Sequence, residues 1–473
     1  MSFAESHTAQ NQKKICLISL GCPKNLVDAE MMLGFLKKDG FGFTSRPNEG
    51  DVIVVNTCGF IEDSKTESIN QLLEMAKYKE EGKCRLLIAT GCLSQRYSKE
   101  LSDEMPEVDL FVGTGEFDKI SGLIKKKFSR GKAGSPLSRT LVSRKQILPD
   151  PDLPRVLATP KHYSYLKISE GCSHKCSFCI IPAIRGTLKS RPVSSIVAEV
   201  RELAARGVKE FNMIAQDLNE YGRDLKDKSS LAKLLTALNK IDGDFWLRLH
   251  YMYPLLFNDP LIDVIRESEH VAKYVDMPLQ HINERILLSM KRGSPSRYVR
   301  QLLGKLKEKI PDIAIRTTFI VGYPGETEAE FKELCDFIRE YEFDRVGAFK
   351  YSIEEGTTAA LLAGQIPQEV KDERYHTLMS LQQKISHKKN KALLGKVVKV
   401  LCERPVEKQP KVFRGRLSTQ APEIDGITYI SGGEIQVGQF VYAQILKAGE
   451  YDLVGKVVQD VIDHQAINSV ANF

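Results

Sequence analysis

No run of apolar residues in this 473-residue chain approaches the length needed to cross a bilayer. The first fourteen residues, MSFAESHTAQNQKK, lack the apolar stretch of a secretory signal. A membrane-spanning protein is therefore not expected, and the cytoplasm is the expected location. No low-complexity tract stands out, nor any internal repeat beyond strand–helix units. The composition, 42% hydrophobic and 27% charged, is that of a globular protein, and the length implies two or three domains.

A general affinity for nucleic acid is also missing once the charge is located. The net charge is +7, but residues 125–161 hold ten Lys/Arg against Asp150 and Asp152 and contribute +8, so the remainder sums to −1. This basic, proline-containing stretch reads as a solvated linker that can still touch RNA phosphates. From Lys396 onward the nine basic and nine acidic residues cancel, leaving no electrostatic footprint for phosphate.

What the chain does have is cysteine, ten in all. In a reducing compartment these imply metal binding or catalysis rather than structural disulfides. Cys16, Cys84, Cys335 and Cys402 lie in apolar stretches and read as small buried hydrophobes. The other six form two sets of three. One is Cys172-x-x-x-Cys176-x-x-Cys179, and the other is spread over Cys22, Cys58 and Cys92. Zinc normally takes four ligands, and His174, between Cys172 and Cys176, is the available fourth. An iron–sulfur cluster held by three thiolates instead leaves one iron open for chemistry.

The order of elements defines three parts and their tails: 1–14 a tail, 15–128 an amino-terminal domain, 129–157 the basic linker, 158–391 a central domain, 392–461 a small carboxyl-terminal domain, and 462–473 a tail. Apolar strands at 15–20, 51–57, 85–90 and 108–112, with amphipathic helices between them, predict a parallel α/β sheet. Cys22, Cys58 and Cys92 each fall within two residues of a strand's carboxyl end, beside Gly21, Gly59 and Gly91, where open α/β sheets bind ligands. Six further strands, near 165–169, 210–216, 246–251, 274–280, 313–322 and 345–352, alternate with helices. They predict a partial (βα)6 TIM-like barrel, with the Cys172 set at the end of its first strand. A basic helix over about 368–391 leads to short β runs punctuated by Asp-Gly turns, which suit an OB-like barrel.

The motifs extend well beyond the cysteines. LGCPKNLVDAE, VNTCGFIEDSKTESI and ATGCLSQRY resemble the amino-terminal domain of the radical S-adenosylmethionine (SAM) methylthiotransferases. EGCSHKCSFCIIPAIRG, IAQDLNEYG, PLQH, TTFIVGYPGETEAEF and YSIEEGT resemble their central domain, and APEIDG and YDLVG their TRAM barrel. The resemblance runs from Ile15 to about Val461. It implies two [4Fe-4S] clusters as cofactors, with SAM as both radical source and methyl donor. Cys172, Cys176 and Cys179 would hold the cluster that cleaves SAM, and Cys22, Cys58 and Cys92 the cluster that carries the transferred sulfur. Gly322, Gly325 and Glu326 would approach SAM, Gln216 and Asp217 would face its amino group, and Phe178 would pack by its adenine. His250, His270 and His281 read equally well as satisfied structural histidines.

Within the family, CPKNLVDAE, Glu354-Glu355-Gly356-Thr357 and APEIDG are similar to the branch that modifies a small-subunit ribosomal protein (RimO-type). The transfer RNA branch has different residues at the first two places. A carboxylate pair at the barrel mouth would suit a basic protein substrate. The implied reaction is methylthiolation of the β-carbon of an aspartate in ribosomal protein twelve, free or in the ribosome. Flavodoxin or ferredoxin would supply electrons, ribosomal RNA contact is an additional expectation, and no membrane is involved. Arg185, Arg248 and Arg316 are candidates to grip the target carboxylate. Two alternatives stand at this level, a transfer RNA adenosine methylthiotransferase and a metal-containing RNA-binding protein.

Overall fold

A computed structural model of the chain describes residues 12–129 and 138–458. The expected tails at 1–14 and 462–473 lie almost wholly outside the described residues. Two compact units emerge. The first comprises the chain up to Ala158 with Lys167–Arg191 and Ser352–Ala360; the second comprises Thr159–Leu166, Pro192–Tyr351 and the chain from Leu361. No helix among the described residues is long and apolar enough to cross a membrane.

The first unit is built on a parallel sheet of β1 (Lys14–Ser19), β2 (Gly42–Phe43), β3 (Val52–Thr57), β4 (Leu86–Gly91), β5 (Leu110–Val112) and β6 (Thr140–Leu141), in the order β2-β1-β3-β4-β5-β6. Its strands are hydrophobic on both faces, as a sheet covered on both sides requires. Val52, Val54, Leu86 and Ile88 pack on one side with Met32, Leu36 and Ile124. Ile53, Val55, Leu87 and Ala89 pack on the other with Leu72, Leu101 and the buried Cys16 and Cys84. The register aligns Ser19 with Asn56, Asn56 with Thr90 and Thr57 with Gly91, so the three strands that precede the cysteines end level with one another.

The basic linker departs from expectation. Its stretch 130–137 lies outside the described residues, but 138–158 packs within the unit. Thr140–Leu141 adds the sixth strand. Arg139 donates to the carbonyls of Ser102, Met105 and Val108 at 2.6–2.7 Å. Arg155 pairs with the buried Glu30 at 2.6 Å, and a Cβ on Gly34 would sit 2.1 Å from the Pro154 carbonyl oxygen. These basic side chains satisfy the protein's own acceptors rather than solvent.

In the second unit, β7 (Tyr163–Lys167) leads the chain out towards the Cys172 loop, whose small hairpin β8 (Ser169–Glu170) with β9 (Lys189–Ser190) belongs to the first unit. The sheet continues with β10 (Glu210–Ile214), β11 (Trp246–Leu249), β12 (Val271–Asp276), β13 (Ala314–Val321) and β14 (Arg345–Lys350). These form an open six-stranded sheet in sequential order, with helices between the strands as in a partial (βα)6 barrel. The helix Gln368–Lys391 has the predicted bounds. It leads to a closed barrel of β15 (Val397–Val406), β16 (Gln409–Leu417), β17 (Thr428–Ser431), β18 (Phe440–Ala448) and β19 (Leu453–Val457), cored by Val400, Cys402, Leu417, Ile430 and Leu453.

Buried charges fasten this small barrel to the α/β sheet. Arg416 and Arg248 converge on the fully buried Glu210, Arg248 at 2.6 Å and Arg416 at 3.1 Å to the same oxygen. Arg248 also donates to the Ser418 carbonyl at 2.5 Å. Asp425 of the APEIDG segment accepts from Tyr274 at 2.9 Å and lies 3.7 Å from Arg316, which pairs with Asp276 at 2.8 Å. Arg248 and Arg316 are thus structural ties, which corrects their candidacy for gripping a substrate.

Burial alone would raise the Glu210 carboxyl, but Arg416 and Arg248 outweigh it and hold its pKa at about 2. Since this lies below the unfolded value, the stabilisation is complete above about pH 4.3 and is lost as pH falls towards 2. Glu210→Gln, which leaves two buried arginines short of a counter-charge, should cost about 3–5 kcal/mol near neutrality. Melting curves of both proteins should therefore differ most at pH 7 and approach one another between pH 5 and pH 3.

Candidate active site

Each amino-terminal cysteine follows a strand end at a place with no room for a side chain. A Cβ at Gly21, where φ is +84°, would lie 2.8 Å from Cys58 Cβ and 3.2 Å from its sulfur. At Gly91, with φ of +96°, it would meet the Asn56 side-chain oxygen at 2.4 Å, and at Gly59 the Leu93 backbone at 2.8 Å. Glycine is required at these turns because the backbone is left-handed or closely approached. Burial pushes the Cys92 thiol up to about 12, with Cys22 and Cys58 among the charges that reinforce the rise, and Cys22 likewise acts on Cys58. The three cysteines therefore act on one another electrostatically at this edge. The Ser68 hydroxyl locks Cys58 from below, accepting its N–H and donating to its carbonyl, both at 3.0 Å.

Asn25, in the CPKN segment, organises this edge, and neither spacing nor periodicity marked it. Its amide donates to the Leu20 and Thr57 carbonyls at 3.1 and 3.0 Å, fixing two strand ends. Its side-chain oxygen accepts from Cys92 at 3.5 Å and from Arg185.

The Cys172 loop lies in this same unit. Its base is closed by the Cys172 N–H donating to the Gly186 carbonyl at 3.0 Å, and Cys179 N–H donates to the Cys176 carbonyl at 3.2 Å. The short helix Ile181–Arg185 then brings Ile180 and Ile184 against Cys92 and Phe60. Arg185, 4% exposed, donates to Cys92 Sγ at 3.3 Å, to Asp28 at 2.7 Å and to Glu170 at 3.1 Å. Lys167, wholly buried, reaches Asp28 at 2.7 Å and also pairs with Glu170. Arg185 is thus committed to the cysteine edge, which corrects its candidacy as a grip on substrate.

The segment Ser352–Ala360 completes the unit. Ala359 N–H donates to the Ser177 carbonyl, inside the Cys172 loop, at 2.8 Å. Glu354, 2% exposed, pairs with Arg96 at 2.8 Å and Lys65 at 3.3 Å, and Arg96 also reaches the Gly59 carbonyl at 3.0 Å. Only Glu355 of the expected acidic pair is exposed. Glu354 is a fastener between this segment and the helices that follow Cys58 and Cys92, not a surface carboxylate for a basic partner.

In the second unit, Gly322 and Gly325 both adopt positive φ, +70° and +75°, at the end of β13. A Cβ on Gly322 would sit 2.4 Å from Lys371 Cγ. Glu326 turns back on this loop: one carboxylate oxygen accepts from the Gly322 N–H and from Arg374, each at 2.6 Å, and the other meets His281 at 2.9 Å. Because the Asn283 N–H donates to His281 Nδ1 at 3.0 Å, it is Nε2 that carries the proton to Glu326. Glu326 therefore braces the glycine turn, and His281 takes part in the same brace. Asp217 accepts the N–H groups of Asn219 and Tyr253 at 2.9 and 3.1 Å and so shapes the turn after β10, beside Gln216. His250 contacts Asn212 at 3.0 Å, and His270 stacks on Phe245 at 4.0 Å. Phe178 is half-buried in the Cys172 loop.

Three profiles match these regions: an uncharacterized family, UPF0004, over 14–113, the radical SAM superfamily over 166–338 and a TRAM domain over 394–458. Solved structures share the fold at low identity. The radical SAM methyltransferase TsrM from Kitasatospora setae superposes with a TM-score of 0.53 at 15% identity, over 72% of this chain and 75% of that one. The cobalamin-dependent radical SAM enzyme OxsB gives 0.51 at 12%, over 79% and 56%. The architecture is thus that of a radical SAM enzyme with an added α/β domain and a TRAM barrel. Ribosomal protein uS12 methylthiotransferases RimO from Geobacter sulfurreducens and Myxococcus xanthus are 47% and 45% identical to the chain, each over 94% of it and over 99% and 92% of their own lengths. The chain belongs to this RimO family of methylthiotransferases.

Glu354→Ala should release Ser352–Ala360, since it strands Arg96 and Lys65 at a cost of about 3 kcal/mol. Limited proteolysis should cut within 352–360 several-fold faster in the variant than in the wild type, with Glu354→Asp intermediate.

Proposed function

We propose that this chain transfers a methylthio group to the β-carbon of an aspartate of ribosomal protein uS12, with Cys22, Cys58 and Cys92 as ligands of one [4Fe-4S] cluster and Cys172, Cys176 and Cys179 as ligands of the other. The observation that carries the reading is the gathering of two sets of three thiols into one compact unit, joined through the contact of Arg185 and Ile184 with Cys92. The donor chemistry fits, because three sulfurs per set leave an iron open in each cluster. When bound, the clusters and SAM supply one-electron cleavage of a sulfonium and a sulfur held at an open iron.

The residues of the chain do the positioning. Gly21, Gly59 and Gly91 bring backbone close enough for their neighbouring cysteines to converge. Ile180, Ile184 and Phe60 pack apolar surface around Cys92, which would limit water at a cluster held there. Gly322 and Gly325, in a loop held in shape by Glu326, and Gln216 and Asp217, after the end of β10, are the candidates to bind SAM, as Phe178 is for its adenine. A flavodoxin or ferredoxin would deliver electrons, and ribosomal RNA would be an additional contact.

After anaerobic reconstitution the wild type should hold about eight irons. Replacement of Cys172, Cys176 and Cys179 by alanine, or of Cys22, Cys58 and Cys92, should each leave about four. The first variant should no longer cleave SAM, and the second should cleave it without transferring the methylthio group. Mass spectrometry of uS12 and of transfer RNA after incubation then reads the substrate. A methylthio group found on transfer RNA alone, or a wild type with a single cluster, overturns the reading.

A further inference from the structure

We propose that Arg185 is a positioning residue for the amino-terminal cluster: its guanidinium donates an N–H···S hydrogen bond to the Cys92 ligand and so raises that cluster's reduction potential. This rests on the assignment of Cys22, Cys58 and Cys92 as cluster ligands. The geometry behind it is specific. One terminal nitrogen of Arg185 lies 3.3 Å from Cys92 Sγ and also meets Asn25, while the other is held by Asp28 at 2.7 Å and Glu170 at 3.1 Å. The planar fork is thereby fixed on both sides, an arrangement that lysine's single ammonium cannot reproduce.

The charge count explains the direction of the effect. Arg185 and Lys167 balance Asp28 and Glu170, all four buried. Without the guanidinium, two buried carboxylates would face the cluster with one cation between them. The added negative field disfavours reduction, and loss of the hydrogen bond to sulfur acts in the same direction. The residue comes from the helix that follows Cys179, so the loop holding one triad sets the electrostatics of the other.

The experiment is an anaerobic redox titration of the full-length holoenzyme, followed by electron paramagnetic resonance in the presence of SAM. Signals that change on SAM addition belong to the Cys172 cluster, and the SAM-insensitive signal reports the amino-terminal one. In Arg185→Met that signal should shift to lower potential by about a factor of ten in the reduction equilibrium, about 59 mV for one electron. Arg185→Lys should recover part of the shift, and the SAM-sensitive signal should move less in either variant. An unchanged potential in both variants, whatever happens to melting temperature, overturns the proposal and leaves Arg185 a packing residue. If Arg185→Met retains only about half of its iron, the lysine variant decides, a lowered potential supporting the proposal and an unaltered one sinking it. A wild type with one cluster is recognised separately by its iron content and removes the underlying assignment as well.

Discussion

Lys167 and Arg185 against Asp28 and Glu170 form a buried four-charge network on which the cysteine-bearing unit depends. Removing four charges from water is costly, and a well-packed apolar cluster of the same volume would hold the segments together at least as strongly. What charges add is direction. Asp28 lies on the helix that follows Cys22, while Glu170 and Arg185 flank the Cys172 loop, so satisfying all of them admits one placement of the loop against the sheet edge. Asn25 extends the same constraint to the ends of β1 and β3 through two carbonyls.

The second unit uses the same device elsewhere. Glu210 gathers Arg248 and Arg416, Asp425 gathers Tyr274 and Arg316, and Glu326 gathers His281, Arg374 and the Gly322 N–H. In each case a buried carboxylate gathers at least one donor from a segment distant in sequence. Packing supplies most of the stability of such interiors, whereas these acceptors fix which surfaces meet.

This division explains what could be read along the chain. The strands were legible because runs such as VIVVNT and LLIATG are hydrophobic on both faces, and the cysteines because each followed a strand end beside glycine. The helix Gln368–Lys391 lies between Pro367, its N-cap, and Gly395. The acidic pair and the candidate arginines were misread because the partner of a charge is a tertiary fact. Glu354 meets Arg96, and Arg248 meets Ser418, across long stretches of chain that no periodicity records. One signal was present: Lys167 stands between Leu166 and Ile168 in an apolar strand, and a cation there demands a buried counter-charge. The linker was misjudged for a related reason, since basic composition does not reveal that Arg139 and Arg155 have carbonyl and carboxylate acceptors waiting.

The first unit is assembled from three separated stretches of chain, the last of them ending at Ala360. A ribosome making this protein therefore releases Cys22, Cys58 and Cys92 well before Arg185, Ile184 and Glu354 exist to cover them. During that interval the sheet can form, since its strands are local, but its cysteine edge stands open to solvent and to oxidants. Synthesis thus orders the unit, so that the edge exists before the segments that line it. The same ordering means that a fragment stopping at Ala158 would keep the sheet and lack the cover over its cysteines.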